Sequence, residues 1–507
     1  MQEEQKKDHK KSKISEFLSD KTNRTFLIIL IIAFIIRIYY FILTKNQPLW
    51  WDESEYLVTA KHWALGVPWE VNAQRPILFP LLFTIIYKLG ISDIVGKFLF
   101  VLLPSLGTVI VSYFLAREMY DKKIALLVST FISIFYLLIF NTTRFHTDAL
   151  SMLFGLLAIY CFWKGYVNEK SRVLIWLVGV FLALNFATRL VAILIAATIV
   201  AYLILTTGIK FLKNKDLWIS FGLGILTISV YLIYNLLQYN KIFAFTAGYV
   251  RPEDLAVLTA NPPAWYVFSF IGMFLGIVML IVFIVGMIFC YKLIIGYDIA
   301  LKEKDKKSFA DLFLILILLI HIIWFVFVQR AAEDRWLLPI SFALFALVSK
   351  GLIVIFDNIK KYNKTVAAIV VGVILIIGAY HQFSLSDQII KSKISSYSKE
   401  PVAGKFLKEN TKTNDIIISN NEVAPLAYYT ERKIFGFVDD KQSVINTIKQ
   451  FKPKYLVLTA YAPTRSWTNE FLEEYQNKLT VVQAYTENYN GQQLPAVIIY
   501  SFKDYNF

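Results

Sequence analysis

The sequence predicts an α-helical polytopic membrane protein of about eleven transmembrane helices with an outer interfacial helix, followed by a small C-terminal α/β extracytoplasmic domain. Three observations carry that reading. The 507 residues are 57% hydrophobic and only 18% charged, too apolar for a soluble globular chain. Apolar runs of about 20 residues recur between Thr25 and His381, each long enough to cross hydrocarbon. The basic residues behind the net charge of +15 gather in short loops between those runs, a pattern that sets membrane orientation and gives no reason to expect nucleic acid as a partner.

The runs are Thr25 to Leu43, Val95 to Leu115, Ile124 to Phe140, Ala149 to Tyr166, Val173 to Phe186, Leu190 to Leu205, Leu217 to Leu237, Tyr266 to Leu293, Leu312 to Val328, Leu337 to Ile355 and Val366 to His381. The first follows a head rich in lysine (Lys6, Lys7, Lys10, Lys11, Lys13). A cleaved signal peptide is disfavoured there, because no small-residue cleavage site follows and many further spans do. Placing the amino terminus in the cytoplasm makes Arg117 to Lys123, Lys164 to Arg172, Lys210 to Lys215, Lys292 to Lys307 and Lys350 to Lys364 all cytoplasmic. The opposite face then holds solitary arginines, Arg75, Arg144, Arg189 and Arg335. The expected division is a basic cytoplasmic head over 1–24, a transmembrane domain over 25–383 and an extracytoplasmic domain over 384–507, in a multi-pass plasma-membrane protein. Cys161 and Cys290 both fall in apolar runs and imply packing rather than a disulfide framework.

In the tail, short β-rich runs (Ile416 to Ser419, Tyr455 to Thr459, Val497 to Ser501) alternate with helix-like stretches (Val402 to Glu409, Val444 to Phe451, Asn469 to Lys478), as in a small α/β domain. It carries no phosphate loop, metal-spaced Cys/His cluster or nucleophile elbow. Its expected work is acceptor handling or shielding of a membrane site.

Chemistry concentrates at Trp50-Trp51-Asp52-Glu53-Ser54-Glu55-Tyr56, just past the first span. Carboxylates are costly to place beside lipid and are often kept for function. Ser54 to Leu65 has helical spacing, with Tyr56, Leu57, Ala60, Trp63 and Ala64 apolar, and reads as an interfacial helix. Asp52 and Glu53 stand at its start, where backbone N–H groups favour an anion. Capping alone would explain one acid but not the outer arginines, while Glu55 reads as a solvated helix residue. Those arginines lie in Gln74-Arg75-Pro76, Thr143-Arg144-Phe145-His146-Thr147-Asp148, Thr188-Arg189 and Glu333-Asp334-Arg335-Trp336-Leu337-Leu338-Pro339. Arginine suits a phosphate through paired hydrogen bonds, although each singly is also explained by snorkelling or by pairing with an acid such as Asp148 or Asp334. Arg37, inside the first span, reads as a structural ion-pair partner. His146 reads as an interfacial hydrogen-bonder. No metal site is indicated, although Asp52, Glu53 and Asp148 have the oxygen chemistry to hold a hard divalent ion.

Taken in order, the Trp-Asp-Glu-Ser-Glu-Tyr stretch, the Arg75-Pro76 pair, the Arg144 to Leu150 run and the Arg335 to Pro339 run resemble the C-type integral membrane glycosyltransferases. The branch they are most similar to is the protein O-mannosyltransferase and aminoarabinose-transferase group. The resemblance spans Thr25 to Ile355 and lies in the conjunction of short motifs. It implies a glycosyltransferase that moves a sugar from a polyprenyl-phosphate donor (dolichyl- or undecaprenyl-phosphate) to a hydroxyl of a protein, lipid or polysaccharide acceptor, among membrane lipids and with no required cofactor. By position it implies Asp52 as the catalytic acid–base residue with Glu53 its partner, and Arg75, Arg189 and Arg335 as donor-phosphate ligands. Arg144 and Asp148 match a second-loop motif of the family, and with Arg37, Tyr56 and His146 they are expected as substrate or structural support. Pro76-Ile77 departs from the doubled proline of the aminoarabinose branch, which leaves the sugar open. The Trp-Trp-Asp triplet differs from that of oligosaccharyltransferases, which continues Tyr-Gly and lies in the soluble tail.

The expected chemistry is a single inverting displacement at the anomeric carbon, with Asp52 taking the acceptor proton as polyprenyl phosphate leaves. The rival from another class is a transporter or lipid-linked-sugar flippase gated by the same charges. A third reading is a membrane-anchored binding protein whose tail does the work. Loop Asn240 to Ala264, with Arg251-Pro252-Glu253-Asp254, is expected to help select the acceptor.

Overall fold

The computed structural model describes residues 17–246, 261–290, 305–329, 333–421, 423–438, 440–461, 465–489 and 491–506. The lysine-rich head before residue 17, the Arg251 to Asp254 stretch and most of the Lys292 to Lys307 loop lie outside the described residues.

Among the described residues, nine helices are long and apolar enough to cross a membrane, and a tenth span is a pair, Lys122–Ile134 and Tyr136–Thr142, bent by 49°. The run expected at Val173 to Phe186 is the helix Arg172–Thr188. Its 17 residues reach only about 25 Å at 1.5 Å per residue, short of a hydrocarbon core of about 30 Å. An apolar helix not expected from the sequence, Leu78–Lys88, follows Arg75.

The contacts divide the chain into two compact units. The first comprises Met1–Ile42, Val101–Thr143 and Thr147–Gln388, and the second Leu43–Phe100, Arg144–His146 and Ile389–Phe507.

Within the first unit, glycines set the closest helix approaches. A Cβ on Gly179 would stand 1.8 Å from the Ser220 carbonyl oxygen, so Arg172–Thr188 and Lys215–Tyr239 meet backbone to backbone. Two spans are broken, and side chains from Lys364–Lys393 serve both breaks. At Phe135, extended between the paired helices, the Tyr136 amide donates to Gln382 Oε1 at 3.0 Å. At Gly276, whose φ of 64° and ψ of 166° interrupt Pro263–Ile288, the Phe274 carbonyl accepts from Gln382 Nε2 at 2.6 Å. His381 Nε2 lies 2.8 Å from the Met273 carbonyl. Polar side chains thus satisfy backbone groups that a bilayer interior cannot.

Arg37 belongs to the first of these breaks. It is fully buried and donates to Ser105 Oγ at 2.7 Å and to the Ser133 and Ala33 carbonyls at 2.8 and 3.2 Å. In place of the expected ion pair it donates to a hydroxyl and two carbonyls, of which that of Ser133 lies near the end of Lys122–Ile134. A broken helix offers acceptors without a second buried charge.

In the second unit the tail builds a five-stranded sheet from β1 (Ile416–Ser419), β2 (Lys433–Gly436), β3 (Tyr455–Thr459), β4 (Leu479–Tyr489) and β5 (Gln492–Phe502), in the order β2-β1-β3-β5-β4. β1 is parallel to β2 and β3, whereas β5 is antiparallel to β3 and β4. Alternation along the strands sends Ile417 and Val457 to one apolar cluster, with Leu407 of Glu400–Glu409, and Ile418 and Leu456 to another, with Ile445 of Lys441–Phe451. Helices on both faces complete an α/β sandwich.

Candidate functional site

The acids of the opening motif lie on a helix that starts earlier than the spacing indicates, at Trp51, and runs to Leu65 before ending at Gly66 in the left-handed conformation. Asp52 is its second residue, so it is not the N-cap. The N-cap is Trp50, and Glu53 at the third helical position accepts from its amide at 2.7 Å. All residues from Glu53 to Ala60 are buried.

Glu53 is the centre of a closed knot. Its carboxylate accepts from the Phe145 amide at 2.6 Å and from Arg144 Nη1 at 3.2 Å. Arg144 also donates to the Pro48 and Lys393 carbonyls, both at 2.9 Å, and lies 3.9 Å from the centre of the Trp50 ring. Both members of the pair are fully buried. Burial lowers the pKa of Arg144, against the opposing pull of Glu53. A carboxylate so occupied has its lone pairs committed to the protein.

A second set lies along Asp52, Glu55, Tyr56 and Thr59, which recur at the spacing of one helix face. Arg75 spans it: Nη2 is 2.5 Å from Asp52 Oδ1 and Nε is 2.7 Å from Glu55 Oε2. Asn72 donates to the other Glu55 oxygen at 2.7 Å, Trp69 Nε1 donates to Thr59 at 3.1 Å, and the guanidinium sits 5.6 Å from the Tyr56 ring centre. Glu55, expected in solvent, is buried and holds Arg75. The Asp52–Glu55 spacing was the signal for it, since residues three apart share a face. Of the three acids, Glu53 and Glu55 have 0% and 5% of their side chains exposed, and Asp52 has 19%.

In the first unit, Arg189 and Arg335 line one cavity with Asp148, Ser151, Asn185 and Trp336. Arg189 pairs with Asp148, which is buried, and Ser151 donates to Asn185 at 2.7 Å. Arg335 pairs with Glu333 at 2.5 Å, while Asp334 accepts from Tyr136 at 3.2 Å. Arg144 pairs with Glu53 rather than with Asp148. His146 is buried, its ring 6.1 Å from that of Trp50. Among the described residues no group of three or more His, Cys, Asp or Glu side chains is arranged to hold a metal ion.

Residues 74–234 match the dolichyl-phosphate-mannose-protein mannosyltransferase family. No curated protein matches the chain significantly. Solved structures do. ArnT from Cupriavidus metallidurans bound to undecaprenyl phosphate is similar with a TM-score of 0.62 at 12% identity, over 93% of this chain and 97% of that one. The apo Archaeoglobus fulgidus oligosaccharyltransferase is similar with a TM-score of 0.60 at 12% identity, over 93% and 74%. The arabinofuranosyltransferase AftD from Mycobacteria is similar with a TM-score of 0.58 at 13% identity, over 94% and 40%. At such identities the likeness is one of fold. The chain is a multi-span membrane protein with the fold of the C-type membrane glycosyltransferases, and about a third of its length matches the mannosyltransferase family within that group.

Proposed function

We propose that this protein transfers a sugar from a polyprenyl-phosphate donor to an acceptor hydroxyl, on the extracytoplasmic face, with Asp52 as general base. The observation that carries the reading is the inequality of the three acids. Glu53 and Glu55 are buried, whereas Asp52, though one of its oxygens pairs with Arg75, keeps 19% of its side chain exposed. An acid that takes a proton from an arriving hydroxyl must be reachable by it. The match to a mannosyltransferase family and the fold shared with an undecaprenyl-phosphate-bound protein support the donor class.

In the proposed step the acceptor oxygen forms its bond to the anomeric carbon as its proton passes to Asp52. The bond from that carbon to the phosphate oxygen breaks, and its electron pair leaves on polyprenyl phosphate, with inversion. Arg75 is the proposed donor-facing cation of the second unit, and Arg189 and Arg335 are those of the first. Arg75 uses Nε and Nη2 for its two acids, which leaves Nη1 for a phosphate oxygen. Glu53, Arg144, Tyr56 and His146 are read as support. The cytoplasmic amino terminus and the domain limits at 24 and 383 are part of the same proposal.

One observation favours the transporter reading, the broken span at Gly276, because discontinuous helices are common at transport sites. The purified protein given a radiolabelled polyprenyl-phosphate sugar and a panel of acceptors separates the two. A labelled product supports the enzyme; vesicle uptake without product supports the transporter and overturns the proposal.

A further inference from the structure

One short helix of the tail, Val423–Thr430, packs against the acid helix. Three anchor points lie at its end and just beyond it. Tyr428 donates to Asp93. The Tyr429 hydroxyl accepts from the Leu49 amide at 2.9 Å. Glu431, just past the helix, pairs with Lys61 at 2.9 Å. The tail thus grips residues before, within and after the acid helix. Tyr429 is the anchor nearest the acids in sequence: Leu49 immediately precedes Trp50, whose amide is held by Glu53. Its own placement is fixed from behind, since a Cβ on Gly404 would stand 2.4 Å from the Tyr429 Cβ. Arg144, which holds Glu53, takes a second tail contact at the Lys393 carbonyl.

We infer that Tyr429 is a positioning residue for transfer: its hydroxyl fixes the chain entering the acid helix, and through Glu53 sets where Asp52 points. This rests on Asp52 being the base. It gives the tail a role in catalysis by orientation, in which a misplacement of a fraction of an ångström costs rate rather than donor affinity.

The experiment compares purified full-length Tyr429→Phe, Tyr428→Phe and Asp52→Asn. Phe keeps the ring and removes only the hydroxyl. Tyr429→Phe is expected to lower kcat about fivefold or more, the worth of one lost hydrogen bond, with donor KM unchanged. Tyr428→Phe, which loosens an anchor more distant in sequence, is expected to keep kcat while lowering the melting temperature at least as far as Tyr429→Phe does. An inactive Asp52→Asn beside a Tyr429→Phe with parental kcat overturns the inference and leaves the function standing. A Tyr429→Phe loss matched by Tyr428→Phe overturns it equally, as general loosening. An active Asp52→Asn overturns the base assignment beneath both.

Discussion

Arg75 Nη2 lies 2.5 Å from Asp52 Oδ1 while the same guanidinium is held at 2.7 Å by Glu55. Burial works against its charge, but Asp52, Tyr56 and Glu55 outweigh that and keep its pKa above the ordinary arginine value. A cation fixed by one acid and shared with the proposed base is placed to answer a phosphate without being rebuilt for each turnover. Arg75→Lys keeps the charge but not the fork, and should lower kcat about tenfold or more in a single-turnover assay. Glu55→Gln should lower it less, since its amide still accepts from Arg75. Equal and parental rates for both would remove Arg75 from the mechanism.

The Glu53–Arg144 pair is fully buried, so removing one partner strands the other. Arg144→Met should destabilise the protein by about 3–5 kcal/mol in detergent unfolding. Adding Glu53→Gln should recover part of that, because it removes the stranded buried charge while its single amide oxygen still accepts from one of the Trp50 and Phe145 amides, which donate to different oxygens of Glu53. Additive losses in the double variant would contradict the coupling.

Gln382 serves both broken spans of the first unit. Gln382→Leu should cost about 1–3 kcal/mol through two orphaned backbone groups, and hydrogen exchange should rise at the Tyr136 amide. Gly276→Ala should cost about 1–3 kcal/mol from its backbone conformation, and its Cβ would also stand 3.1 Å from the His381 ring. Unchanged exchange at Tyr136 in Gln382→Leu would show that the bridge does not hold the break.

Glu431 gives a pH-dependent test of the tail's attachment. Burial raises its pKa, but hydrogen bonds from Lys408 and Lys61 overcome this, so the net shift is down. A depressed carboxylate pKa stabilises the fold above the unfolded value, roughly 4.3, and that stabilisation fades as pH falls through the folded value. Glu431→Gln should therefore lower the melting temperature at pH 7, and the difference from the parent should shrink at pH 4 and below.

Arg189→Ala and Arg335→Ala should each raise donor KM about tenfold or more, as for loss of a charge-assisted hydrogen bond. Stability should fall more for Arg189, whose removal strands buried Asp148. Parental KM in both would leave the cavity without a donor role.

The spans were legible because hydrophobic length is a local property, and the bilayer demands it of each helix separately. The bend at Phe135 and the break at Gly276 were not, since they depend on Gln382 and His381 arriving from a later helix. In the tail, the short β-rich runs Ile416 to Ser419, Tyr455 to Thr459 and Val497 to Ser501 declared strands. β2, one exposed and three half-buried residues at a sheet edge, and β4, with Thr, Glu and Asn along it, lack such unbroken apolar runs. At the site, Asp52 and Arg75 stood out as charges beside apolar runs. Glu55 was misread because its burial comes from Asn72 and Arg75 folding over it. Tyr429 had no local signal, since its partner lies some 380 residues away in sequence.

The most direct test of the account is single-turnover transfer by purified Asp52→Asn with a labelled polyprenyl-phosphate sugar, alongside donor binding and a melting curve. With Asp52 as general base, product falls below detection, donor binding stays within about twofold of the parent and the melting transition is intact. Product formed at the parental rate would contradict it.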